Sequence, residues 1–273
     1  MARLTRTGCP TMLLRLLVCA LLCVAPYSWA EDWRSVGAFD TELVGQDLFY
    51  AKHTAERPSD GKQVTAHLAF FKSPRFRLKV IDLGADSAPA FTTLEQAFRA
   101  EDCVAGVNGG FFHRDWRPAG LMIAKGRRGN RFETAKLLSG VIYSDDSGIH
   151  LIRRSRFRDH PGIDALLQTG PYLVEGGRTV RGLSGADARR RTFIATDWRG
   201  RWVLGATSSR LTLADLGESL ASAGALTPWT IDRAINLDGG SSTGFYYERG
   251  PGVAPVVLPP GKRVRNLLGI TRR

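Results

Sequence analysis

Two distant segments of the chain share one design: an apolar strand that ends in a polar residue and breaks on paired glycines. The first runs from Val104 to Val107 into Asn108-Gly109-Gly110-Phe111-Phe112. The second runs from Ala234 to Leu237 into Asp238-Gly239-Gly240-Ser241-Ser242. Glycine tolerates positive φ and lets another group come close to its peptide N–H, so paired glycines permit a tight turn. A strand end is a stiff mount, so Asn108 and Asp238 are expected to be held more firmly than loop residues. One such turn is ordinarily a capped bend and nothing more. Two of them, the second trailed by Ser-Ser-Thr, point to a site.

Periodicity fills in the rest. Val64, Ala66, Leu68 and Phe70 alternate on one face of a strand. Phe76, Leu78 and Val80 alternate against Arg75, Arg77 and Lys79 in a second, with Ser73-Pro74 turning the chain between them. Thr92-Thr93-Leu94-Glu95 predicts a helix start with a capping box from Thr92 to Glu95, and Leu94, Ala97 and Phe98 give that helix an apolar side. Hairpins are expected from Val141-Ile142-Tyr143 to Ile149–Ile152, and from Thr192–Thr196 to Trp202–Ala206. A second helix is expected from Thr212, carrying Leu213, Leu216 and Leu220. Strands dominate and helices are few. The expected class is α+β, mixed β-sheets with a few packed helices in a single domain over 31–273.

Residues 1–30 read as a signal peptide. Arg3, Arg6 and Arg15 are the only charges before Glu31, an apolar stretch runs from Leu16 to Ala25, and Ser28-Trp29-Ala30 predicts cleavage after Ala30. The apolar stretch is shorter than the roughly 20 residues of a membrane span. An exported protein, periplasmic or secreted, with no transmembrane span in its mature form is expected. Of the four cysteines, only Cys103 lies beyond residue 30, which excludes an internal disulfide or a thiol-based zinc site in 31–273. The net charge is +12, and the three early arginines leave +9 for 31–273. Acidic partners suit such a chain, for example phosphorylated glycans or anionic lipids. No nucleic-acid motif accompanies the charge, which argues against nucleic acid as the partner.

Val107 to Phe112, with Arg117-Pro118-Ala119-Gly120-Leu121 behind it, resembles the first motif of the phosphodiester glycosidase domain family. Gln168-Thr169-Gly170-Pro171-Tyr172-Leu173-Val174 is similar to its middle motif. Arg190-Arg191-Thr192 and Asn236 to Ser242 are similar to the remaining two. The four occur in family order. The family includes the mannose-6-phosphate uncovering enzyme and many bacterial envelope proteins, and the absence of cysteine-rich extensions resembles the bacterial branch.

The resemblance implies hydrolysis of a sugar-1-phosphodiester at the sugar, the substrate being a phosphorylated glycan or glycolipid. Such a reaction passes through an oxocarbenium-like state and expels an anionic phosphate. It calls for a carboxylate near the anomeric carbon and for cations or N–H donors around the phosphate. Asp238 is the expected carboxylate, as nucleophile or as base for a water. Arg191 is the expected phosphate clamp, with Arg190 and Arg117 behind it, because a guanidinium grips two phosphate oxygens at once. The N–H groups of Gly109, Gly110, Gly239 and Gly240 are expected to line an anion pocket. Asn108 and Ser241 would bind sugar hydroxyls or phosphate, and the middle motif adds Gly170 to the substrate-binding set. His113 is the best-placed histidine for proton transfer. Phosphate leaves at low pKa, which lessens the need for a strong acid.

No cofactor is required by these residues. Asp238 with Ser241 or Asn108 would offer oxygen ligands suited to Ca²⁺ or Mg²⁺, but no contiguous loop of acidic ligands is present and no metal is assigned. Two other readings use the same residues. One is a non-catalytic module that binds anionic envelope glycan, and the other is a metal-dependent phosphodiesterase that breaks the P–O bond.

Overall fold

The computed structural model describes residues 1–2, 33–43, 47–84 and 91–273. The expected signal segment Leu16–Ala25 and the cleavage point after Ala30 lie outside the described residues. Glu31–Arg273 forms one compact unit.

The described strands make three antiparallel sheets. In the largest, the order is Arg34–Val36, Leu48–Arg57, Lys62–Lys72, Arg201–Thr207, Thr192–Thr196, Arg233–Asn236, Tyr172–Glu175 and Arg178–Thr179. A second orders Gly148–Arg153, Gly140–Asp145, Ala165–Thr169, Met122–Ala124 and Arg127–Arg128. A third orders Val256–Leu258, Phe245–Tyr247, Ala105–Asn108, Asn266–Arg272 and Phe76–Asp82. The described residues hold two α-helices, α1 (Leu94–Ala100) and α2 (Leu213–Ala221). The fold is therefore predominantly β, at the strand-rich end of the expected α+β class.

Lys62–Lys72 pairs with Leu48–Arg57 from Arg57↔Lys62 to Leu48↔Phe71, and with Arg201–Thr207 on its other edge. Val64, Ala66, Leu68 and Phe70 face one core, together with Leu216 and Leu220 of α2. Ala69 and Phe71 face the other, which is shared with the second and third sheets. The alternation had implied one buried face, yet at its C-terminal end this strand is covered on both. Each large apolar side chain so buried contributes about 1.5–3 kcal/mol. In Phe76–Asp82 the expected alternation holds, with Phe76, Leu78 and Val80 buried.

Both hairpins form, as Gly140–Asp145 with Gly148–Arg153 and as Thr192–Thr196 with Arg201–Thr207. Thr212 caps α2 in a reciprocal box with Asp215. The first helix differs from expectation by one residue. Thr93 is its cap, accepting from the Gln96 N–H, while Thr92 donates to Gln96 Oε1. Thr92-x-x-Glu95 and Thr93-x-x-Gln96 both satisfy the capping pattern, and the structure uses the second. Cys103 is buried, and burial pushes its thiol up to about 12. His67 hydrogen-bonds Tyr50 Oη at 2.9 Å, and burial pushes it down to about 4, a neutral core histidine.

Asn108 closes the central strand of the third sheet. Thr192 opens, and Asn236 closes, neighbouring strands of the largest sheet, in register Phe193↔Asn236. The ends of two sheets therefore meet at the second glycine turn.

Candidate active site

The two glycine turns are bonded to each other. The Asp238 N–H donates to the Gly109 carbonyl at 3.0 Å, and Asn108 Nδ2 donates to the Asp238 carbonyl at 2.7 Å. Asn108 Oδ1 accepts from Thr192 Oγ1 at 2.7 Å and from the Gly244 N–H at 3.0 Å. Asn108 thus ties three segments together behind Asp238. Both acceptor sites of its oxygen are taken, so it has no oxygen to offer a cation.

Asp238 is half-buried. Its Oδ1 accepts from the Gly239 N–H at 2.8 Å. Burial raises its carboxyl above the usual carboxylate range; Ser242, the Gly239 N–H and the charge of Lys262 pull the other way. The approach of Ser242 Oγ to Asp238 falls short of ordinary hydrogen-bond geometry, and the buried Thr243 Oγ1 and Asn266 Nδ2 have no hydrogen-bond partner among the described residues. A stranded buried polar group costs about 1–3 kcal/mol. Such groups are tolerated where a ligand or water can meet them.

The second turn packs on the backbone that carries Arg191. A Cβ added to Gly239 would lie 3.0 Å from the Arg190 carbonyl oxygen and 3.9 Å from Arg191 Cδ. Arg191 is only 8% exposed. Its Nε donates to the Leu211 carbonyl at 2.9 Å and its Nη2 to the Asp187 carbonyl at 2.7 Å. It forms no salt bridge among the described residues. Burial, then the charge of Arg189, work against its protonation, while Asp187 and Asp215 support it. A cation held in plane by carbonyls, with N–H groups to spare and no carboxylate within 4 Å, suits an incoming anion.

One expectation is corrected. The four glycine N–H groups do not line an anion pocket, because each already has a protein acceptor. Gly109 donates to the Asn266 carbonyl at 2.9 Å and Gly110 to Asn266 Oδ1 at 2.7 Å. Gly239 donates to Asp238, and Gly240 to the Arg190 carbonyl at 2.8 Å. Their small size still matters. A Cβ on Gly109 would sit 2.0 Å from Asn266 Oδ1, and Gly240 turns at φ +66°. Gly170 also backs the site instead of lining it. It is buried, its carbonyl accepts from Asn236 Nδ2 at 3.0 Å, and a Cβ there would meet the Leu137 carbonyl oxygen at 2.2 Å.

His113 and Arg117 lie exposed on one loop, where the His113 N–H donates to the Arg117 carbonyl at 2.9 Å. Arg117 pairs with Asp115 at 3.5 Å. The loop is anchored through stacked Phe112 and Trp116, whose ring centroids lie 5.2 Å apart. Lys262 Nζ stands 5.1 Å from the Phe112 ring, and the Arg263 guanidinium 4.9 Å from the Trp116 ring. Ser241 and Arg190 do not join Asp238 directly. They line a cleft of about 520 Å³ with Arg189, Arg210 and Gly261.

Sequence reasoning missed Asn266, which holds the first turn, and Lys262, whose charge acts on Asp238. Neither sits in a recognisable local pattern. Among the described residues, no group of three or more His, Cys, Asp or Glu is placed to hold a metal ion, and no helix is long and apolar enough to cross a membrane.

A family model described as phosphodiester glycosidase matches residues 101–271. No curated protein sequence matches the chain. The catalytic domain of zebrafish N-acetylglucosamine-1-phosphodiester alpha-N-acetylglucosaminidase, auto-inhibited by its pro-peptide, superposes with a TM-score of 0.58 at 14% identity, over 89% of this chain and 88% of that one. A hypothetical protein from Synechocystis superposes with a TM-score of 0.60 at 16% identity; 87% of this chain is covered but only 64% of that one. At these identities the superpositions establish a shared fold.

Proposed function

The chain belongs to the phosphodiester glycosidase family, and from that premise we propose that it hydrolyses a sugar-1-phosphodiester between the anomeric carbon and oxygen. The observation that carries the reading is the half-buried Asp238, its backbone carbonyl held by Asn108, on a turn whose next residue, Gly239, packs against the backbone of Arg190 and the buried Arg191. The C1–O bond breaks and its electron pair stays on the phosphate oxygen. Asp238 either bonds to C1, to be displaced by water, or takes a proton from the water that attacks C1. Either way one water is consumed, giving a free sugar and a phosphomonoester.

Arg191 offers its free N–H groups to the phosphate, where charge accumulates as the bond breaks. Lys262 helps keep Asp238 ionised despite its burial. No bond-breaking role is given to His113, because a phosphate departs without a proton donor. No step passes through a metal. Ser241, exposed beside the second turn, is positioned to reach a sugar or phosphate oxygen.

Turnover in ¹⁸O-labelled water tests this. Label in the released sugar and none in the phosphomonoester is expected, with turnover abolished in Asp238→Asn. Label in the phosphate would mean P–O cleavage. Tight binding of such diesters without product would mean a glycan-binding module. We also propose that the protein acts outside the cytoplasm, on envelope or exopolysaccharide glycans. N-terminal sequencing of the protein made in its own host should find Glu31 first, and an intact Met1 in all of it would refute export by cleavage.

A further inference from the structure

The arginines of this protein divide into two groups. One group sits against a carboxylate, for example Arg128 with Asp159 at 2.7 Å, Arg153 with Glu175 at 2.6 Å and Arg201 with Asp197 at 2.5 Å. Those around the cleft beside Ser241 do not. Arg190 and Arg210 form no ion pair among the described residues, and Arg189 has only Asp187 at 3.9 Å, with both side chains more than half exposed.

The backbone forces this crowding. The Arg189 and Leu211 peptides exchange hydrogen bonds at 3.0 Å in both directions, which sets Arg210 beside Arg189. The Gly240 N–H donates to the Arg190 carbonyl, and the Gly261 N–H donates to the Ser241 carbonyl at 2.7 Å. Gly261 adds no side chain where Arg190 Nη2 approaches. The result is an open cleft of about 520 Å³ walled by three guanidinium groups. Like charges so gathered repel one another, and Arg189 already acts against the protonation of Arg191. An anion in the cleft relieves that repulsion and can be gripped by two forks at once.

The cleft is also close to Asp238. Gly240 and Ser241 line it, two and three residues along the chain. At about 3.8 Å per residue their Cα atoms lie within roughly 8 and 11 Å of that of Asp238. Arg191, set apart from the cleft lining, remains for the phosphate at the reacting bond.

We propose that the cleft of Arg189, Arg190 and Arg210 holds a second phosphate of the substrate, so that the protein acts on glycans with repeating phosphodiester links. This rests on the glycosidase reading above for the position of the reacting bond, but the cleft's binding is measurable without turnover. The probes are a methyl-capped hexose-1-phosphodiester monomer and the corresponding trimer. Their affinities are compared by calorimetry in Asp238→Asn protein, with and without Arg189→Ser and Arg210→Ser. The trimer is expected to bind about tenfold tighter than the monomer. The double arginine change should erase that excess and leave monomer affinity within about twofold. Equal affinities for the two probes, or a trimer preference that survives the double change, would overturn the proposal. If the trimer preference behaves as expected but wild-type protein turns over neither probe, the cleft stands and the hydrolytic reading is the one that fails.

Discussion

Replacing Asn108 with alanine tests whether the first turn serves chemistry or position. Its side chain makes three hydrogen bonds, donating to the Asp238 carbonyl and accepting from Thr192 Oγ1 and from the Gly244 N–H. Thr192 and Gly244 are buried, so alanine leaves their donors without an acceptor and one carbonyl short of a donor. A buried group so stranded costs about 1–3 kcal/mol. Three would sum to more, but water admitted to the space satisfies part of the deficit, and an overall loss of about 3–5 kcal/mol is expected. That is a large share of the 5–15 kcal/mol typical of a folded protein. Urea unfolding at unchanged m-value measures it.

Two companion variants sharpen the result. Asn108→Asp keeps both acceptor roles but turns an acceptor toward the Asp238 carbonyl, so it should cost about as much as alanine. Thr192→Val alone should cost about 1–2 kcal/mol, and combined with Asn108→Ala it should add less than the sum, because both remove the same bond. If Asn108→Ala costs under about 1 kcal/mol while turnover falls a hundredfold, Asn108 touches substrate and the positioning argument fails.

Three further outcomes follow from the same geometry. Burial holds Asp238 above the usual carboxylate range, so the folded state binds that proton more tightly than the unfolded chain. Its ionisation therefore subtracts stability as pH rises through the raised value. Asp238→Asn should accordingly raise Tm at neutral pH while abolishing turnover, and a lowered Tm would contradict this. Lys262 favours the ionised form of Asp238, so Lys262→Met should move the acid limb of the kcat/KM profile to higher pH; an unmoved limb would separate Lys262 from Asp238. Gly109→Ala places a Cβ 2.0 Å from Asn266 Oδ1, an overpacking cost of about 1–3 kcal/mol that calorimetry should register as a Tm drop of roughly 2–12 °C.

What the sequence made legible was local. Both glycine turns, both hairpins and the apolar side of each helix follow from residues within a few positions of one another, and these formed with ends shifted by a residue or so. The roles of the glycine N–H groups were not legible, because their acceptors lie far along the chain. Asn266 reaches Gly110 across 156 residues, and Asn108 reaches Asp238 across 130. A glycine pair reads the same whether its amides face a ligand or an asparagine from another strand. Lys262 was hidden for a similar reason: only the fold brings the 259–264 segment against Phe112 and Asp238.

The correction at those amides changes the chemistry expected of the site. Peptide N–H groups are anion donors that cost no side-chain entropy and need no counter-charge, so a pocket built from them can sit among neutral residues. Here they are spent on Asn266, on the Asp238 carboxylate and on the Arg190 carbonyl. A phosphate beside Asp238 therefore has to be met by cationic side chains, which are expensive to bury and repel one another when gathered. That requirement accounts for the arginine run ending one residue before the strand that carries Thr192, in which Arg190 and Arg191 form no salt bridge among the described residues. With the turn closed by its own amides, Arg190, Arg191 and Arg210, which form no salt bridge among the described residues, are the cations on which the proposed phosphate binding depends.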